Sequence, residues 1–247
     1  MIEPRHQDAS RLETFSDAVM AFASTLLVVS LEVPKSYDEL IVNLRWVVPF
    51  ALAFAALILI WVAHKNFFRR YPIDDAFTVV VNGVLLFTIL FYVYPLKFLA
   101  GSFVSMFMDS NGVVFTGFGQ LRNLFMIYAV GWMLVFICIA LLYWHAARSE
   151  DKLGLSTLDS YDAITHSRYY VAFILAGAIS FAVAALDIGV RFGLPGLAYA
   201  TTGIFSSVNG SRRRKRRAAL EASLARHPSL GDTAGVRTST IMPGEKK

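Results

Sequence analysis

Apolar residues along this chain gather in long runs instead of alternating with polar ones. Five segments, residues 46–63, 76–96, 124–144, 169–186 and 192–208, contain no Lys, Arg or Glu. Each is close to the ~20 residues that carry a helix across the hydrocarbon core of a bilayer. A sixth run lies ahead of them, between Asp17 and Glu32, and is shorter at 14 residues. It follows Arg11, Ser16 and Asp17, so charge sits at the mouth of the first apolar helix. A charged group at such depth must face protein or water. The pattern predicts an all-α, polytopic membrane protein of six transmembrane helices. The last of them is loosened by Gly193, Pro195, Gly196 and Gly203, which membrane helices tolerate where neighbours satisfy the backbone. Between the third and fourth spans, residues 99–120 read as an extracytoplasmic loop.

Composition agrees. Of 247 residues, 56% are hydrophobic and the mean hydropathy is +0.54, more apolar surface than a water-soluble globule can hide. Charge then sets the orientation. Six spans place eighteen of the 23 Lys and Arg residues on one side, and the positive-inside rule makes that side cytoplasmic, with both termini on it. This predicts a multi-pass protein of the cell inner (plasma) membrane. Residues 1–208 form the membrane domain. Residues 209–247 form a basic tail that opens with Arg212, Arg213, Arg214, Lys215, Arg216 and Arg217 and then turns polar without apolar periodicity, the mark of a disordered segment. The net charge of +5 is mostly a tail effect and calls for anionic lipid near Arg212 to Arg217, not for nucleic acid. A single cysteine, Cys138, excludes an internal disulfide and a cysteine metal cluster. The N-terminus lacks the pattern of a removable signal peptide.

Polar residues inside spans are costly and therefore informative. The first helix offers Arg11, Ser16, Asp17, Ser24 and Thr25, the second ends in Trp61 and His64, and the third holds Asn82. All fall near the cytoplasmic ends of their helices, so they can meet in one layer. A network of Asp17, His64, Asn82 and the Trp61 indole would satisfy donors and acceptors that lipid would leave bare. Such a network can be glue between helices, or a His and Asp can relay protons. Phe22, Thr25 and Val29 share one face of the first helix at i, i+3, i+7, with Ala18 a turn earlier. That stripe is either helix packing or, repeated around an axis, a narrow constriction for a partly dehydrated ion.

The string Arg11-x-x-x-Phe15-Ser16-Asp17, followed by AVMAFASTLLVV, resembles the signature of the transmembrane protein 175 family of potassium channels in its bacterial single-repeat form. Trp61-x-x-His64-x-x-x-Phe68, Asn82 and Pro95 at the end of the third span agree in order and spacing. The resemblance covers residues 8–208, with the last three helices matching in hydropathy alone. It implies a homotetramer whose first helix lines a central pore permeable to K+, with no cofactor. It puts a hydrophobic constriction at Phe22, where the family carries Leu or Ile, a hydroxyl layer at Thr25 and a further apolar layer at Val29. Arg11, Phe15, Ser16, Asp17, Trp61, His64 and Asn82 fall on the positions that hold the pore helix.

Other classes fit less well. The chain has no TVGYG-like carbonyl filter, no helix with Arg at every third position and no ring of carboxylates deep in a span. A proton-coupled secondary transporter using the Asp17 and His64 layer is the alternative, although transporter folds are usually built on internal repeats and none is visible here. Ser16, Asp17 and His64 include the residue types of hydrolytic catalysis, but a structural use accounts for them better, so no enzyme is expected.

Overall fold

The structure, a computed structural model, describes residues 4–29, 34–44, 46–108, 118–149, 157–199 and 201–202. The described chain is helical throughout. α1 is Pro4–Val29, α2 Tyr37–Leu44, α3 Val47–Arg70, α4 Ala76–Met108, α5 Phe118–Arg148 and α6 Thr157–Ala185, followed by a 3-10 turn at Val190–Phe192. Five of these, α1 and α3 to α6, contain stretches long and apolar enough to cross a membrane. The sixth expected span, 192–208, is described only in part, as the end of the 3-10 turn and a helix over 194–199. The tail from 209 lies outside the described residues.

The core explains the order of packing. α1 lies against α3 and α4, α4 against α5, and α5 against α6 over the most extensive interface. Met20, Ala23 and Leu27 of α1, Ala53, Leu57 and Phe67 of α3, and Leu85, Ile89 and Val93 of α4 are buried together in one cluster that continues into α5. Their i, i+3/i+4 spacing gives each helix one buried stripe, and the opposite stripe is left uncovered.

Three boundaries differ from the expectation. A short helix, α2, fills part of the first connection: the Glu39 N–H donates to Ser36 Oγ at 3.2 Å, and Glu39 Oε2 accepts the Lys35 N–H at 2.6 Å, a close variant of the capping box. α4 does not close at Pro95 but runs through it to Met108. Residues 99–108 are therefore helix and not loop. A proline inside a membrane helix costs one backbone bond that neighbours can offset, and Gly101 makes room on the far side, where a Cβ would lie 2.5 Å from the Trp46 ring. α6 begins at Thr157 and not at 169, because its polar first turns are held by neighbours instead of by water. Tyr71 donates its hydroxyl to the Asp159 carbonyl at 3.1 Å, and Arg70 bonds the buried Asp162 carboxylate.

The turn from α3 to α4 is fixed in the same way. Asp75 caps α4, accepting the Thr78 N–H at 2.9 Å, as a side chain at the N-cap does. Its other oxygen meets His145 Nε2 of α5 at 2.6 Å. Burial pushes the Asp75 carboxyl up, but hydrogen bonds from Thr78 and His145 and the His145 charge outweigh it, holding the group below its ordinary 3.8.

Candidate functional site

The polar side chains of the spans converge where α1, α3 and α4 touch. Ser16 and Asp17 face the other two helices from the middle of α1, Trp61 and His64 stand one turn apart near the end of α3, and Asn82 lies in the second turn of α4. The antiparallel return from α3 to α4 brings His64 and Asn82 to the same level.

The hydrogen-bond directions follow from one fixed point. Ser16 donates its hydroxyl to the Leu12 carbonyl at 2.8 Å, the usual resort of a serine inside a helix. Its oxygen can then only accept, so Asn82 presents its NH2 group, Nδ2 donating to Ser16 Oγ at 2.8 Å. The Asn82 carbonyl oxygen therefore faces His64, 2.9 Å from Nε2. That oxygen only accepts, so the hydrogen of the imidazole sits on Nε2. The result is a directed chain from His64 through Asn82 and Ser16 to the backbone of α1. Beside it, Trp61 Nε1 donates to Asp17 Oδ1 at 2.8 Å. Ser16, His64 and Asn82 are at most 1% exposed. His64 Nδ1 is buried and has no hydrogen-bond partner among the described residues. The layer thus joins Ser16, Asp17, Trp61, His64 and Asn82 in two adjoining pieces.

The other predicted site residues lie on the far side of α1. Arg11, Ala18, Phe22, Thr25 and Val29 are exposed, and Phe15 with them. Phe22 is 57% and Val29 70% exposed. Thr25 donates its hydroxyl to the Ala21 carbonyl at 3.1 Å, which leaves its oxygen lone pairs toward the uncovered side. One face of α1 is therefore pinned by directional bonds, and the opposite face, apolar with a hydroxyl in its middle, is left exposed. Ser24 belongs to neither set: its hydroxyl returns to the Met20 carbonyl at 2.9 Å.

Sequence reasoning missed the second connected set. Rings of α5 and α6 interlock along their length: Trp132–Phe136 and Phe136–Phe173 at 4.7 Å between centroids, Tyr143–Tyr170 at 5.6 Å and Tyr143–His166 at 4.8 Å. Tyr92 of α4 joins by donating to the Tyr128 carbonyl at 2.7 Å, over Gly131, where a Cβ would lie 2.1 Å from the Tyr92 ring. No group of three or more His, Cys, Asp or Glu able to hold a metal ion occurs among the described residues.

Helices of this length and hydropathy, tied by a buried polar layer, define a polytopic membrane protein. The family model described as endosomal/lysosomal potassium channel TMEM175 matches residues 11–92, the stretch from α1 into α4 that carries the layer. A potassium channel of Marivirga tractuosa is 38% identical over 166 residues, spanning 64% of this chain and 67% of that one. A potassium channel of Chamaesiphon minutus is 29% identical over 208 residues, 78% of this chain and 94% of the relative. Among solved structures, a variant of the potassium channel MtTMEM175 bound to a nanobody–MBP fusion superposes with a TM-score of 0.70 at 30% identity, covering 83% of this chain and 93% of that one. A lysosomal potassium-selective channel TMEM175 homolog from Chamaesiphon minutus gives 0.51 at 25% identity, covering 79% and 98%. The chain belongs to the TMEM175 family.

Proposed function

We propose that the protein is a passive potassium channel in which four copies assemble with α1 around a central pore, and that Phe22 forms its hydrophobic constriction, with Thr25 and Val29 as the next layers. The observation that carries this reading is the division of α1 into a bonded face and an uncovered one. A helix that only packed against lipid would not need a carboxylate–indole bond and a three-residue amide chain to hold its rotation. A pore helix does, because turning it by one residue would replace Phe22 and Thr25 at the axis. The proposal includes the six-helix domain over 1–208, the tail over 209–247, and both termini in the cytoplasm of a cell whose plasma membrane holds the protein. Arg11, Phe15, Ser16, Asp17, Trp61, His64 and Asn82 would hold the pore helix. Selectivity would come from the smaller dehydration cost of K+ relative to Na+ at an apolar ring.

The test is potassium flux into sealed proteoliposomes, with a proton ionophore to balance charge and sodium in a parallel sample. Flux driven by the potassium gradient alone, larger than for sodium, is expected. Phe22→Ala should widen the ring, raising flux and lowering the ratio of K+ to Na+. Unchanged flux and ratio in that variant would remove Phe22 from the pore. A second reading, a proton-coupled transporter, is favoured by the buried Nδ1 of His64, which has no hydrogen-bond partner among the described residues. Strict dependence of flux on a proton gradient would select it.

A further inference from the structure

The uncovered apolar stripes of α3 to α6 carry few charges, but at the basic face, where α1 and α4 begin and α3 and α5 end, two cations meet. A cleft of about 320 Å³ opens there between α5 and α6, lined by Trp144, Ala147, Arg148, Ile164, Ser167 and Arg168. The Arg148 guanidinium carbon lies 4.0 Å from the centroid of the Trp144 ring, a cation–π contact that orients the fork. Ser167 spends its hydroxyl on the Ala140 carbonyl at 3.1 Å, so the donors left to the cleft are the two exposed guanidinium groups. The acidic residues of the adjoining first turns of α6, Asp159 and Asp162, are engaged by Arg70. Among the described residues neither Arg148 nor Arg168 has a carboxylate partner.

Depth narrows the identity of the occupant. The apolar run of α5 stops at Trp144 and that of α6 starts at Tyr169, so Arg148 and Arg168 stand just outside the apolar lengths of their helices. Trp at that level is the mark of a membrane interface. Toward the bilayer the cleft continues into exposed apolar side chains, Leu141 on α5 and Val171 and Leu175 on α6. Paired guanidinium groups match a phosphate by bidentate bonds, and the walls below match acyl chains.

We infer that this cleft binds the headgroup of an anionic phospholipid, the phosphate between Arg148 and Arg168 and the chains along Leu141, Val171 and Leu175. A free phosphate would use the same two cations but gains nothing from the apolar walls. The site lies away from α1 and stands whether or not α1 lines a pore.

The test uses the full chain in detergent, titrated with phosphatidylglycerol, with phosphatidylcholine of the same chains, and with inorganic phosphate. Lipid retained on the intact protein is read by mass spectrometry. Phosphatidylglycerol should be retained in preference to phosphatidylcholine, and millimolar phosphate should not displace it. A cation near an anionic headgroup is worth about fivefold in affinity, so Arg148→Gln with Arg168→Gln should weaken retention about twenty-five-fold. Arg69→Gln, on exposed α3 at the same face, should leave it unchanged. Should the double variant not fold, Arg168→Gln alone, with no described partner to lose, is expected to weaken retention about fivefold. Equal retention of the two lipids, equal retention in the wild type and the arginine variants, or displacement by phosphate would each overturn the inference.

Discussion

The two halves of the described bundle are held together by different physics. Between α1, α3 and α4 the ties are single side-chain hydrogen bonds with fixed directions, Trp61 to Asp17 and His64 through Asn82 to Ser16. Between α5 and α6 they are ring contacts, from Trp132 and Phe136 to Phe173 and from Phe136 and Tyr143 to Tyr170, with two bonds to backbone carbonyls, Trp132 Nε1 to Phe173 at 2.9 Å and the Ser167 hydroxyl to Ala140 at 3.1 Å. Ring packing has a broad optimum in angle and offset. A buried donor or acceptor accepts no such slack, because leaving it unmet costs its full desolvation. The first half therefore fixes the rotation and height of α1, and the second supplies cohesion without dictating register. The family match over residues 11–92 falls on the half whose geometry is directional.

The sharpest way to break the comparison is at Asn82. Asn82→Leu keeps the volume and removes both the acceptor for His64 Nε2–H and the donor to Ser16. Stranding the imidazole N–H alone costs about 1–3 kcal/mol. Expected are a lower unfolding midpoint in detergent and, because α1 loses its angular restraint, altered flux in proteoliposomes. A variant with a lowered midpoint but unchanged flux and selectivity would mean that the layer is cohesion like the other half. The matched change there is Phe136→Leu, which keeps an apolar side chain but forfeits ring contacts worth about 0.5–1.5 kcal/mol each. It should leave ion flux as it was. A change in selectivity from Phe136→Leu would erase the distinction between the halves.

How much of this was legible in the chain follows the same division. Ser16, Asp17, Trp61, His64 and Asn82 stand out because each interrupts an apolar run, and the spacing of the spans put them at one level before any coordinates did. Which atom bonds which was not legible: Trp61, and not His64, holds Asp17, a choice made by one helical turn of α3. The aromatic half left no such trace, since rings in a membrane helix look alike whether they face lipid or protein. The early start of α6 was hidden for the opposite reason. Asp159 and Asp162 read as loop residues until Arg70, about ninety positions away, is seen to meet them. Beyond Pro95, α4 packs Gly101 closely against the Trp46 ring, a contact between distant elements that local propensity does not contain. The capping residues of α2, Ser36 and Glu39, are by contrast a local signal three positions apart.

A third tie belongs to neither half and joins them: Asp75 at the start of α4 to His145 at the end of α5. Asparagine caps a helix as well as aspartate does, so Asp75→Asn keeps the bond from the Thr78 N–H and removes only the charge facing His145. The pair is partly exposed, and such pairs contribute about 0.2–1 kcal/mol, the smallest effect of the three. Its pH dependence identifies it. The Asp75 carboxyl is held below its ordinary 3.8 in the folded protein, so its contribution is fully present above that value and is lost as pH falls through the lower folded one. Unfolding midpoints of wild type and Asp75→Asn should differ slightly at pH 6 and converge as the pH is taken below about 3.8. A difference that stays constant through that acid range would show that the variant acts through the cap and not through the charge. The link between the two halves would then rest on Arg70 and Tyr71 against the first turns of α6 and on the packing of α4 against α5, where Tyr92 lies over Gly131.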